Sequence, residues 1–97
     1  MAPCTLSPPR FAHGRLVMTR SVQELIRDTG LDVLTFLQRH LNGDWGDLPE
    51  EDRRSNETAL RTGDRIFSAY QLNANGKLWI ITEADRSVTT LLLPEDY

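Results

Sequence analysis

Cleaving RNA without a metal takes a general base and acid for the 2′-hydroxyl and the leaving oxygen, and cations for the charge that develops on phosphorus. Residues of those types are scattered through this chain: His40 beside Arg39, then Lys77, then the run Arg86-Ser87-Val88-Thr89-Thr90. On a strand, alternation puts Ser87 and Thr89 on one face and Thr90 on the other with Val88, so one hydroxyl pair at most serves a given site. Each member also has a plainer reading. His40 in the last turn of a helix answers the helix dipole, Arg86 after Asp85 pairs locally, and threonine is a good strand former.

A second constellation suits binding rather than catalysis. Trp45 lies inside the polar turn Gly43-Asp44-Trp45-Gly46-Asp47, and Glu50 and Glu51 follow within a few residues. A tryptophan there is either a plug over the core or an exposed anchor. As an anchor, ringed by Asp44, Asp47, Glu50 and Glu51, it fits a basic protein surface, the carboxylates steering the encounter. The same acids are what a helix N-terminus favours.

Other chemistries find no residues. One cysteine and two well-separated histidines give no zinc-type spacing and no calcium loop is present, so no metal ligands are assigned. Phosphate-loop and dinucleotide glycine patterns are absent, as is a nucleophile elbow, and no cofactor is expected.

With 14 acids against 11 bases the net charge is −3, and Lys77 is the lone lysine beside ten arginines. A net acidic chain argues against charge-driven binding to duplex DNA while leaving room for RNA at a local basic site. No apolar run approaches the ~20 residues of a membrane helix. Cys4 has no internal partner for a disulfide, so the expected compartment is the cytoplasm, away from membranes.

The elements that would position these residues read as helices first and strands last. Residues 1–17 hold three of the five prolines and no periodicity, and read as a flexible leader or a mis-assigned start, with Met18 beginning a single domain over 18–97. Val22 to Thr29 is a first helix, with Ser21 and Glu24 as capping box and Gly30 as stop. Asp32 caps a second, with Val33, Phe36, Leu37 and Leu41 as its apolar stripe, and Asn42-Gly43 ends it. Leu48 to Thr62 is a third, polar helix with Asp47 as cap and Pro49 in its first turn. From Arg65 the period changes to two. Strands follow at Arg65–Leu72, Lys77–Thr82 and Ser87–Leu93, joined by Asn73-Ala74-Asn75-Gly76 and Glu83-Ala84-Asp85-Arg86. Trp79, among Leu78, Ile80 and Ile81, reads as core. The predicted fold is α+β, with three N-terminal helices packed on a C-terminal three-stranded antiparallel meander whose open edges could pair two copies into a homodimer.

The stretches Arg39-His40-Leu41-Asn42-Gly43-Asp44-Trp45-Gly46-Asp47-Leu48, Glu51-Asp52 with Asn56, Arg65-Ile66, Ser68-Ala69-Tyr70, and Trp79 through Pro94 with Tyr97 carry a resemblance. Over about residues 16–97 the chain resembles a family of small plasmid-related proteins from proteobacterial plasmids and integrated mobile elements. No activity comes with that resemblance. In element order the chain is also distantly similar to the barnase–EndoU–colicin–RelE class of small nucleases, from whose basic surfaces its acidic charge departs.

These readings lead to one expectation and two alternatives. The expectation is a non-catalytic accessory protein of a mobile element that binds a macromolecular partner, a protein of host defence or plasmid maintenance. The alternatives are a metal-independent endoribonuclease built on His40 and Arg86 with Lys77, Ser87 and Thr89, and a dimerising structural or regulatory domain.

Overall fold

A strand at Arg15–Met18 changes the architecture that the sequence predicts. The computed structural model describes residues 9–72 and 76–97. In chain order they form β1 (Arg15–Met18), α1 (Arg20–Thr29), α2 (Val33–Leu41), α3 (Glu50–Thr62), β2 (Ile66–Gln71), β3 (Lys77–Thr82), β4 (Val88–Leu92) and a short 3-10 turn, Pro94–Asp96. The sheet has four strands in the order β1-β4-β3-β2. β1 runs parallel to β4, with Leu16 beside Thr89, whereas the β2–β3 and β3–β4 pairs are antiparallel.

The fold is therefore α+β, but the three-stranded antiparallel meander is replaced by a mixed four-stranded sheet. Leu16-Val17-Met18 is too short a run to show a period of two, and its partner β4 lies near the other end of the chain. No local signal reports such a pairing. The boundary drawn between leader and domain falls inside this strand.

Helix ends follow local chemistry, with two exchanges of role. Thr19, not Ser21, caps α1 by accepting the Val22 amide, while Ser21 donates to Asp96. α3 begins at Glu50 after Pro49 with no side-chain cap, because the Asp47 carboxylate is taken by the Gln71 amide of β2 at 2.9 Å. Asp32 does cap α2, accepting from Leu34, and Gly30 and Gly63 end α1 and α3 at positive φ. Of the turn predicted at Asn73 to Gly76, residues 73–75 lie outside the described residues.

The three helices cover one face of the sheet. Val22 of α1 packs with Tyr70, Leu72, Leu78, Ile80, Leu91 and Leu93, supported by Leu25, Ile26, Val33 and Phe36. A second cluster joins Trp45, Ala59 of α3 and Ile66 of β2, with Phe11, Leu48 and Leu60 against it. Phe11 belongs to the stretch that the sequence reads as leader. No described helix is long and apolar enough to cross a membrane.

The β2 edge is closed by its neighbours. Asn56 of α3 both donates to the Phe67 carbonyl and accepts its amide, at 2.7 and 3.1 Å. The turn before α3 continues this protection: Ala69 donates to the Trp45 carbonyl and accepts from the Asp47 amide. Gly46 has φ +78, and a Cβ there would lie 2.0 Å from the Ala69 carbonyl oxygen, so only glycine lets the turn lie this close to the strand.

Candidate functional site

His40 is fully buried beside the cluster built around Trp45. Its ring meets Phe11 and Trp45 edge-on, at centroid distances of 5.2 and 6.0 Å. Nδ1 lies 2.5 Å from Ser68 Oγ and Nε2 2.9 Å from Thr82 Oγ1. Thr82 and Thr89 are 2.7 Å apart, and Thr89 donates to the His13 carbonyl at 2.8 Å.

A carbonyl only accepts, so this chain of contacts has one direction. Thr89 gives its proton to His13, Thr82 gives its own to Thr89, and Thr82 then accepts Nε2–H. Nδ1 is left as the acceptor of the Ser68 hydroxyl. The imidazole is neutral with every ring nitrogen satisfied, and burial pushes its pKa down to about 3. Such a histidine organises the core. It offers no nitrogen to a substrate.

Arg86 is equally committed. It sits at φ +61 at the end of the turn Glu83–Arg86, the left-handed position that usually favours glycine. Its guanidinium donates to the carbonyls of Asp64, Glu83, Ala84 and Ala59, between 2.7 and 3.2 Å. It thereby ties the β3–β4 turn to the C-terminal end of α3, where a cation is favoured. Its partners are these carbonyls, not the Asp85 carboxylate that the sequence suggests.

The other ribonuclease candidates do not join them at an open surface. Thr89 is buried in the chain of hydroxyls just described, and Ser87 is exposed just before β4. Lys77 pairs with Gln71 at the far end of β3, on the face of the sheet opposite His40. His40, Arg86 and Thr89 do surround the N-terminal segment: Phe11 lies 5.7 Å from the Arg86 guanidinium and packs on His40, while His13 holds Thr89.

The binding candidates divide. Trp45 is 5% exposed and donates Nε1–H to Glu57 at 3.0 Å, which makes it the plug of the two readings. Asp44 pairs with Arg39 at 2.7 Å, a contact that holds its carboxyl below the usual range, and Asp47 is spent on β2. Asp44, Trp45 and Glu50 line an open cleft of about 580 Å3 with Arg53, Arg54 and Glu57. Its acids face its own arginines, as in the Glu50–Arg54 contact at 3.4 Å. Glu51 is exposed. Among the described residues no group of histidine, cysteine and carboxylates could hold a metal ion.

Sequence reasoning missed the exposed aromatic surface. On the sheet face opposite the helices, Trp79 meets Phe67 edge-to-face at 5.1 Å and Tyr97 at 5.8 Å. With Ile81 and Arg65 they line a groove of about 300 Å3. Trp79 and Phe67 are half-buried, and Tyr97 is 73% exposed. Trp79 is thus not part of the helix-covered core. The alternation of β3 carried this signal: Leu78 and Ile80 share one face, so Trp79 and Ile81 share the other. The chain was compared with protein-family models, curated proteins and solved structures, and none of the three comparisons returns a match.

Proposed function

We propose that this chain is a non-catalytic binding module that takes a protein partner on the open face of its sheet. The observation that carries this reading is the Phe67–Trp79–Tyr97 row beside Arg65, an apolar groove rimmed by a cation. Aromatic side chains and arginine are the residues that most often dominate binding energy at interfaces. Arg65 has no hydrogen-bond or ion-pair partner among the described residues, and Lys77 and Arg15 also belong to strand positions of this face.

The charge of the open face narrows the partner. Arg15, Arg65 and Lys77 all belong to strand-face or groove positions there, whereas the carboxylates Glu50, Glu51 and Asp52 open α3. The matching ligand is a protein segment with a large apolar side chain flanked by carboxylates. This differs from the basic partner suggested by the acidic turn, because Trp45 is a plug and the exposed aromatics lie elsewhere. The setting, an accessory component of a mobile element, rests on the resemblance of residues 39–48 and 79–94.

Affinity capture from a plasmid-bearing host, run in parallel with wild type and Tyr97→Ser, tests this function. Tyr97 is exposed enough to be replaced without loss of fold. A protein held near stoichiometrically by wild type and lost from Tyr97→Ser supports the reading. RNA in place of protein, or capture indifferent to Tyr97, overturns it.

A further inference from the structure

We propose that β1 is the pairing edge for a second copy of this chain, the two copies meeting about a two-fold axis at Leu16. The two edges of the sheet are treated differently. On β2 the outward amides and carbonyls of Phe67 and Ala69 are occupied by Asn56 and the Trp45–Asp47 backbone, and the Gln71 amide by the Asp47 carboxylate. Natural sheets protect edges that must stay unpaired. Among the described residues, none covers β1 in this way.

The register of β1 shows which groups are open. Arg15 donates to Ser87, just before β4, and Thr19 to Leu91 on β4, so the odd-numbered residues face inward and Leu16 and Met18 face outward. The Met18 carbonyl is taken by Gln23 Nε2 at 3.3 Å. Leu16 is left with both its amide and its carbonyl directed away from the sheet, and Met18 with its amide alone. Of the four large hydrophobic side chains exposed among the described residues, two are Leu16 and Val17, at 44% and 40%.

A strand whose one fully open position is Leu16 suits its own copy. Two antiparallel β1 strands centred on Leu16 place the two leucines directly opposite, each amide meeting the other's carbonyl. Their Cα atoms would then be about 5.5 Å apart, as in any hydrogen-bonded antiparallel pair. In this register Arg15 faces Val17 of the second copy, so no like charges oppose one another. Val17, Thr90, Ile81 and Phe67 lie in one row across the sheet, so pairing would join the open faces of both copies into one surface.

Register-specific crosslinking of the full chain tests this, with Cys4→Ser as background. Leu16→Cys should form a disulfide-linked dimer under mild oxidation at least tenfold faster than Val17→Cys. The Val17 positions lie diagonally, about 7–8 Å apart, beyond easy reach of a disulfide. Sedimentation of the wild type should show a reversible dimer, weakened at least tenfold by Leu16→Lys, which opposes like charges, and unchanged by Leu34→Lys on α2. Equal crosslinking at 16 and 17 overturns the register. A wild-type chain that stays monomeric up to about 1 mM, where even a weak specific interface would be populated, overturns the proposal.

Discussion

Thr82 accepts the Nε2–H of His40 at 2.9 Å inside a layer from which water is excluded, and that bond fixes which nitrogen of the ring carries the proton. Because Thr82 and Thr89 both pass their own protons toward the His13 carbonyl, Nδ1 can only accept. A histidine of the right type for catalysis is thereby a fixed, neutral strut between α2 and the sheet.

The strut makes stability depend on pH with a definite sign. The folded pKa of His40 is about 3 against 6.5 for the free side chain, so the unfolded chain binds the extra proton. Its contribution is complete above about pH 6.5 and is lost progressively as pH falls toward 3, by about 1.4 kcal/mol per pH unit within that window. Urea unfolding of wild type and His40→Gln at several pH values checks this. The variant's curve should be flatter below about pH 6.5 by that slope; parallel curves would mean that His40 is not buried neutral.

Arg86 combines strained backbone with a committed side chain. Arg86→Ala keeps the left-handed strain and removes the donors to four carbonyls, for an expected loss of about 2 kcal/mol. Arg86→Gly removes the same donors but relieves the backbone, and should lie about 1 kcal/mol above the alanine variant. Thermal melts of the three proteins decide the matter. Melting temperatures equal to wild type would free Arg86 for another role.

Phe11 and β1 make residues 11–18 part of the fold. Phe11→Ala should cost about 2 kcal/mol, since the ring packs on His40, Trp45 and Arg86. A chain begun at Met18 also loses most of β1 and the Arg10–Glu57 pair. Near-ultraviolet circular dichroism should show it without fixed tertiary packing. A cooperative melt near the wild-type temperature would contradict this role.

What the sequence revealed was what neighbouring residues decide. Asp32 as cap of α2, Gly30 and Gly63 as helix stops, and Lys77–Thr82 as a strand all depend on residues within a turn or a period-two run. What it concealed depends on distant contacts. β1 needs β4 to become a strand, Asp47 abandons α3 for Gln71, and His40 draws its partners from Ser68 and Thr82 on two different strands. The tryptophans follow the same rule: Trp45, open between plug and anchor in the sequence, is the plug, and Trp79, read there as core, is not part of the helix-covered core. Trp45 is buried by Phe11 and held by Glu57, both distant in sequence, while Trp79 points to the sheet face that the helices leave open.

The most direct test of binding through the open face is fluorine NMR of the chain labelled with 5-fluorotryptophan, alone and in complex with the protein it captures. The sequence holds two tryptophans, and Trp45→Phe assigns their resonances. Trp45, already enclosed, should keep its shift, whereas Trp79 should move and lose its sensitivity to the H2O/D2O ratio as the partner covers the groove. A formed complex in which the Trp79 resonance stays unmoved and solvent-sensitive would contradict the account.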